Sequence, residues 1–276
     1  MTKNKNWAKL YLFVVFILLY TPIVYLIYYS FNEAGTMNQF SGFTLEHYAA
    51  LAEDSRLLII ALDTIRVALL SALIATVIGT SGAIGIYFSR RRQTQNVLLS
   101  LNNILLVSPD VIIGASFLLL FTLVGFQLGF YSVLLSHIAF SIPIVVLMVL
   151  PRLEEMNGNM ITAARDLGAN HFQVLKEIIL PSITPGILAG YFMAFTYSID
   201  DFAVTFFVTG NGFATLSVEI YSRARQGVSL EINALSTILF LVAFSLVAGY
   251  YFIQQHRTRL KLAQMNPTNH EKAVTP

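Results

Sequence analysis

The sequence predicts an all-α integral membrane protein with six transmembrane helices. Its residues are 56% hydrophobic and only 12% charged, whereas soluble proteins average roughly 45–50% apolar and about 25% charged residues. Long uncharged stretches also alternate with short charged segments. A helix needs about 20 consecutive apolar residues to cross the hydrocarbon core of a bilayer, and several stretches reach that length. The same composition excludes a disordered or collagen-like chain.

Uncharged gaps locate the six predicted spans. Lipid offers no hydrogen-bond partner to backbone groups, so each span is predicted as a helix. We interpret the first as a retained helix rather than a signal peptide, since it is too long and lacks a small-residue cleavage site. The approximate spans are 10–31, 59–88, 97–124, 130–150, 183–207 and 232–255, in a single transmembrane domain that covers residues 1–276.

The distribution of basic residues predicts the orientation of the chain. Lysine and arginine accumulate on the cytoplasmic side of a membrane. If the N-terminus is inside, 13 of the 17 Lys and Arg residues fall in inner segments. An even number of spans then returns the C-terminus to the same side, so both termini are predicted to be cytoplasmic.

Several kinds of catalytic and metal chemistry have no support in the sequence. There is no Cys, so thiol nucleophiles, thiolate ligands and disulfides are excluded. The five His residues are scattered without metal spacing, so we expect them to be hydrogen-bonded or solvated, with no metal site. No Gly-x-x-x-x-Gly-Lys run occurs, so any ATP hydrolysis belongs to another chain.

The segment at residues 151–182, between spans four and five, is unusually long and has helical character. Gly168 can end a first short helix because glycine accepts a left-handed conformation. Asn170 is a candidate N-cap for a second helix, which Pro181 is predicted to stop. Two short helices around a glycine elbow would form a protruding docking element. The alternative is an amphipathic helix that lies flat among the lipid headgroups.

This segment resembles the EAA motif of ABC importer permeases, which runs E-A-A, three residues, Gly, nine residues, I-x-L-P. The matching positions are Ala163, Ala164, Gly168, Ile178, Leu180 and Pro181, with Thr162 where the family usually has Glu. A Thr can still cap a helix at that position. The resemblance implies a type I ABC importer permease fold, whose cytoplasmic coupling helix enters a groove on an ATPase subunit.

Shorter motifs extend the resemblance to the PotC-type permeases of spermidine and putrescine importers. These motifs are Ser30-Phe31-Asn32, Val107-Ser108-Pro109-Asp110, Ser198-Ile199-Asp200-Asp201 and Phe207-Val208-Thr209-Gly210. The resemblance implies a non-catalytic permease of the cytoplasmic membrane that moves polyamines inward by alternating access. Its implied partners are a second, PotB-like permease, an ATPase dimer that holds ATP and Mg, and an extracytoplasmic solute-binding protein. No cofactor is expected on this chain.

Acidic residues inside predicted spans need a partner, water or a function, because a carboxylate at the bilayer centre costs about 2.5–3.5 kcal/mol on insertion scales. Asp63 lies three residues before Arg66, so the two are expected to pair on one helix face. Asp110 follows Pro109 within span three and has no basic residue near it in sequence. Because proline opens the helix backbone, we expect this helix to line a cavity.

Asp200 and Asp201 are adjacent and would point about 100° apart on a helix. Tyr197 precedes them by about one turn. Since ammonium groups bind carboxylates and aromatic faces, we predict that Asp110, Asp200 and Asp201, supported by Tyr197, line the path of a cationic substrate. The alternative is that these aspartates bond backbone amides or arginines of a partner subunit and serve assembly.

Three other functions stay open at the sequence level. The first is the same permease role for another small solute, because the coupling motif does not depend on cargo. The second is an intramembrane aspartyl hydrolase, although adjacent aspartates are poorly placed to converge on one point. The third is an independent secondary transporter or channel, which would be expected to carry inverted repeats.

Overall fold

The computed structural model describes residues 3–35, 37–226 and 230–245, which are predominantly helical. The described helices are α1 (Lys3–Tyr29), α2 (Glu46–Glu53), α3 (Ser55–Tyr87), α4 (Arg92–Val107), α5 (Asp110–Leu123), α6 (Phe130–Glu154), α7 (Gly158–Asp166), α8 (His171–Val174), α9 (Leu180–Asp200), α10 (Ala203–Val208), α11 (Leu216–Gln226) and α12 (Leu230–Ser245). A π-helical turn, Leu175–Ile179, joins α8 to α9. The prediction of an all-α protein is confirmed.

Four helical stretches among the described residues are long and apolar enough to cross a bilayer: Lys9–Tyr29, Ser55–Tyr87, Phe130–Glu154 and His171–Asp200. They correspond to predicted spans one, two, four and five. Helix α12 is apolar and begins predicted span six, whose continuation past residue 245 lies outside the described residues. The count of six spans therefore stays a prediction.

Predicted span three is bent in the structure. Helix α4 ends at Val107, α5 begins at Asp110, and the two helices meet at an angle of 104°. Ser108 and Pro109 between them have extended backbone conformations. Proline lacks an N–H donor and disfavours the helical conformation of the residue before it. Two helices on either side of Ser108 and Pro109 therefore replace the single helix predicted over 97–124.

Pro181 does not stop the second loop helix, contrary to the sequence-based prediction. Helix α8, the π-helical turn and α9 form one apolar stretch that continues to Asp200. Pro181 lies at the start of α9, directly after the π-helical turn. The first turn of a helix tolerates the missing N–H of proline. At its other end α9 stops at Asp200, short of the predicted end of span five at residue 207, and the chain resumes as α10.

The described residues fall into two compact units, one drawn from residues 3–54 and 223–245 and the other from residues 55–222. In the second unit α3, α6 and α9 pack against one another. Small side chains permit a close approach, because a Cβ on Gly79 of α3 would lie 2.7 Å from the Cβ of Val145 in α6. This three-helix core carries most of the polar side chains of the candidate site.

In the first unit, the buried side chain of Asn32 shapes the loop between α1 and α2. Its Nδ2 donates to the carbonyl of Gln39 at 2.8 Å, and its Oδ1 accepts from the N–H of Ser41 at 2.9 Å. Its backbone forms an antiparallel bridge with Phe43. The carbonyl of Asn32 also lies 2.9 Å from Nε2 of His47. The short motif that contains Asn32 therefore has a structural role in this loop.

Candidate functional site

Two of the predicted path residues, Asp110 and Tyr197, are in direct contact. The hydroxyl of Tyr197 in α9 donates to Oδ1 of Asp110 at 2.8 Å. Asp110 is the first residue of α5, where free backbone N–H groups and the helix dipole favour a negative charge. The ring of Phe140 in α6 packs edge-on against Tyr197, with ring centroids 5.1 Å apart. Both Asp110 and Tyr197 stay partly exposed on this chain.

Asp200 and Asp201 have different surroundings, so the expectation that they lie on one helix is wrong. Asp200 is the last residue of α9 and is exposed. Asp201 has an extended backbone and is only 8% exposed. Its Oδ1 accepts from the N–H of Val204 at 3.3 Å, and its Oδ2 accepts from the N–H and hydroxyl of Thr205 at 2.8 and 2.7 Å. Asp201 thus caps α10, as the backbone-amide alternative anticipated, while Asp200 faces accessible space.

The sequence did not single out His137, which lies at the centre of the buried polar groups. It is fully buried in α6. Its Nδ1 lies 2.6 Å from Oγ of Ser198, and its Nε2 lies 2.8 Å from Oγ1 of Thr205. The Ser198 hydroxyl also lies 3.1 Å from that of Ser71 in α3. No spacing along the chain predicts this cluster, because its members come from four separate helices.

Asp63 and the histidines were the other polar side chains for which the sequence analysis made a prediction. Asp63 and Arg66 form the predicted ion pair at 2.8 Å. No group of three or more His, Asp or Glu side chains that could hold a metal ion occurs in the part of the chain that the structure describes. His256 and His270 lie outside that part.

The loop after α6 forms the predicted glycine elbow. Gly168 has φ of +87°, which ends the helix before it. Asn170 is the N-cap of α8, as predicted, and it forms a reciprocal capping box with Gln173. Thr162 lies inside α7 instead of capping it, because Asn157 takes that position. The short helices thus meet at a rigid, locally capped turn.

Two large apolar side chains project from this elbow, and the sequence analysis did not identify them. Leu167 is 89% exposed and Phe172 is 69% exposed. The inward-facing Ile161, Val174 and Ile179 are buried in the core of the second unit. Exposed apolar groups at the tip of a polar loop are typical of a protein contact surface.

Comparison with known proteins decides the family. Residues 75–259 match the model of the binding-protein-dependent transport system inner membrane component. The chain belongs to this family. It is 40% identical to the spermidine/putrescine transport system permease protein PotC of Escherichia coli K12, over 89% of this chain and 92% of the relative. It is 32% identical to the putrescine transport system permease protein PotI of the same organism, over 92% and 94%.

A solved structure shows the same fold for this permease. A chain of a bacterial ABC transporter involved in the import of alginate aligns with a TM-score of 0.70 at 16% identity, covering 91% of this chain and 94% of that one. The fold expected from the coupling motif, that of an ABC importer permease, is therefore confirmed.

Family membership also decides against the hydrolase that the sequence alone left open. The chain is a non-catalytic, inner-membrane transport component and not an intramembrane aspartyl hydrolase. The geometry agrees, because a hydrolase needs two carboxylates that converge on one point. Asp201 is enclosed by its bonds to α10, and Asp110 is bonded to Tyr197. An independent secondary transporter would also leave the resemblance of residues 151–182 to the EAA motif unexplained.

Proposed function

We propose that this permease imports polyamines, spermidine and putrescine, across the cytoplasmic membrane as a subunit of an ABC importer. The observation that carries the proposal is the 40% identity, over nearly the whole length of both chains, to a permease named for spermidine and putrescine. A second relative, at 32% identity, is named for putrescine. The exposed carboxylate of Asp200 and the Asp110–Tyr197 pair supply acidic and aromatic groups that suit this cargo.

The substrate path is proposed to contain Asp110, Asp200 and Tyr197. A protonated polyamine carries several ammonium groups, and a charge-assisted hydrogen bond contributes about 1.5–3 kcal/mol. Asp110 and Asp200 come from the start of α5 and the end of α9, so they can bind different ammonium groups of one flexible chain. Asp201 supports the path indirectly, because it caps α10 immediately after Asp200.

The permease is proposed to work with three partners: a PotB-like second permease, an ATPase dimer that binds ATP and Mg, and an extracytoplasmic solute-binding protein. Both termini are proposed to be cytoplasmic, which places the elbow at Gly168 on the ATPase side. Leu167 and Phe172 would enter the ATPase groove there. Closure of the ATPase dimer would then move the helices as rigid bodies and alternate access to the path.

The proposed cargo and path are tested together in proteoliposomes that hold this permease, its partner permease, the ATPase and the binding protein. Radiolabelled spermidine uptake and ATP hydrolysis are measured for the wild type and for Asp200→Asn. We expect ATP-dependent uptake in the wild type. In Asp200→Asn we expect uptake to fall about tenfold or more, since the variant loses one charge-assisted bond to an ammonium group.

Glu53→Gln serves as the matched control, because Glu53 is an exposed carboxylate at the end of α2, outside both the proposed path and the segment 151–182. It should leave uptake unchanged. Loss of the assembled complex in Asp200→Asn would instead favour the assembly role of this aspartate. If the loaded binding protein stimulates ATP hydrolysis but neither spermidine nor putrescine is taken up, the role in an ABC importer is supported and the proposed cargo is wrong.

A further inference from the structure

His137 lies at the centre of a buried hydrogen-bond cluster whose side chains come from four helices. Its ring lies within hydrogen-bond distance of Ser198 in α9 and Thr205 in α10, and Ser198 in turn contacts Ser71 in α3. A buried polar group without a partner destabilises the fold. The two ring nitrogens of His137 are both satisfied, so the cluster is complete within the chain.

The hydrogen-bond pattern assigns the donor on the ring. The hydroxyl of Thr205 donates its single proton to Oδ2 of Asp201 at 2.7 Å. Nε2 of His137, 2.8 Å from the same hydroxyl oxygen, must therefore donate to it. This assignment holds whether the ring is neutral or protonated. The chain of donors thus runs from His137 through Thr205 to Asp201, whose Oδ2 also lies 3.5 Å from Nε2 of His137.

This chain of donors ends at Asp201, directly after the last residue of α9. Asp201 has an extended backbone because its carboxylate caps α10 instead of continuing α9. Asp200 is therefore the last residue of α9, with its side chain exposed. On the other side of His137, the ring of Phe140 packs against both His137 and Tyr197, at centroid distances of 4.9 and 5.1 Å.

The packing of α10 does not depend on His137 alone. Val204 and Val208 are buried in an apolar cluster, and the hydroxyl of Ser132 donates to the carbonyl of Val208 at 2.7 Å. The second end of α10 is therefore held independently. The contacts of His137 act at the first end of α10, next to the break between α9 and α10 beside Asp200.

We infer that His137 is a positioning residue of the transport path: its Nε2–H, through Thr205 and Asp201, holds the break that presents Asp200, and its contact with Phe140 supports Tyr197. This inference rests on the proposed function, since Asp200 and Tyr197 are the path groups that it positions. A residue of this kind alters the number of substrate molecules moved per ATP hydrolysed. A purely stabilising residue alters the amount of intact complex.

The test compares His137→Gln with His137→Asn in the reconstituted importer. The amide nitrogen of Gln can reach the position of Nε2 and donate to Thr205, whereas that of Asn reaches only the position of Nδ1. We expect His137→Asn to lower spermidine uptake per ATP hydrolysed about tenfold, with ATPase activity per complex retained. His137→Gln should restore most of the uptake. Equal coupling in both variants and the wild type would overturn the inference, as would a parallel loss of uptake and ATPase activity.

A second pair of variants guards against misfolding of His137→Asn. Thr205→Val keeps the shape and the backbone N–H but removes the hydroxyl relay, and Thr205→Ser keeps the hydroxyl. We expect Thr205→Val to uncouple uptake and Thr205→Ser to retain it; wild-type coupling in Thr205→Val would overturn the inference. Ser141→Ala is the control in α6, because its buried hydroxyl has no hydrogen-bond partner in the described part of the chain.

The same series separates the inference from the proposed function. If Asp200→Asn transports spermidine normally, the proposed path is wrong whatever the His137 variants do. If Asp200→Asn fails while His137→Asn couples as the wild type does, the path is supported and the positioning role of His137 alone is rejected.

Discussion

Asp110 shows how this permease accommodates a carboxylate within a predicted membrane span. A charged carboxylate there costs about 2.5–3.5 kcal/mol on insertion scales. The bend at Pro109 makes Asp110 the first residue of α5, where free N–H groups offset part of that cost. The hydroxyl of Tyr197 adds a hydrogen bond at 2.8 Å. In the proposed path, the remaining lone pairs of the carboxylate would accept from an ammonium group of the cargo.

Removal of either member of this pair should impair transport to different extents. Tyr197→Phe removes one hydrogen bond but keeps the ring, so we expect spermidine uptake per ATP to fall about fivefold, which corresponds to about 1 kcal/mol. Asp110→Asn also removes a charge and should reduce uptake further. The measurement is initial uptake in proteoliposomes, with the exposed Tyr131→Phe as control. Wild-type uptake in Asp110→Asn would contradict a role for this pair in the path.

At the scale of helices, the packing of α3 on α6 depends on one glycine. A Cβ on Gly79 would lie 2.7 Å from the Cβ of Val145 and 3.0 Å from the carbonyl oxygen of Ile142. Gly85, in the same helix, has open space at that position. The two glycines therefore separate the effect of helix contact from the effect of helix propensity.

Gly79→Ala should lower the stability of the protein, whereas Gly85→Ala should not. Overpacking at Gly79 should destabilise the protein by about 1–3 kcal/mol. Alanine at Gly85 should be neutral or stabilise it by up to about 1 kcal/mol, because alanine favours the helix. Thermal unfolding of the detergent-solubilised protein, followed by loss of monodisperse protein, measures both. A lower melting temperature for Gly85→Ala than for Gly79→Ala would contradict the close helix contact.

The glycine elbow at Gly168 is the second element for which the structure supports a prediction. Gly168 and the Asn170 cap fix its shape, and they leave Leu167 and Phe172 outside the core. Burial of a side chain of this size in a partner contributes about 1.5–3 kcal/mol. The two side chains should therefore account for much of the ATPase docking energy.

Leu167→Ala and Phe172→Ala should each weaken binding of the ATPase subunit about tenfold or more. Co-purification of the ATPase and ATP hydrolysis stimulated by the binding protein report the loss. Leu188→Ala, at an exposed apolar position on α9 away from the elbow, should bind the ATPase normally. Full ATPase binding by the double variant Leu167→Ala, Phe172→Ala would place the docking surface elsewhere.

For the whole molecule, the predicted topology follows from charge alone. With the N-terminus inside, 13 of 17 basic residues lie on the cytoplasmic side. In the proposed orientation, the loop that contains Gly168 would face the ATPase and the loop shaped by Asn32 would face the binding protein. The absence of Cys from the sequence makes this arrangement directly testable.

Single cysteines should report the two sides of the membrane without background labelling. Asn38→Cys lies in the predicted outer loop and Gln93→Cys in the predicted inner segment, and both positions are exposed. In right-side-out vesicles, a membrane-impermeant maleimide should label Asn38→Cys at once. It should label Gln93→Cys only after permeabilisation. The reverse pattern would invert the proposed orientation.

Local features of this permease were determined by the sequence itself. The apolar stretches, the Asp63–Arg66 pair, the Gly168 elbow and the Asn170 cap each depend on residues within about one or two helical turns. These features result from hydrophobic burial, from contacts between residues three positions apart on a helix, and from the backbone conformation of single residues. The two short helices of this loop and the elbow between them could therefore be predicted, even though Pro181 was assigned as a helix stop and Thr162 as a possible cap.

Contacts between distant helices were decided only by the tertiary structure. The bond between Tyr197 and Asp110 joins residues 87 positions apart, and His137 lies 61 and 68 positions from Ser198 and Thr205. No local pattern encodes such pairs, because they form only when α5, α6, α9 and α10 pack together. The end of α9 at Asp200 belongs to this class, because buried hydrogen bonds to Asp201 outweigh the local tendency of an apolar sequence to continue as helix. Asp200 is therefore exposed while its neighbour Asp201 is enclosed.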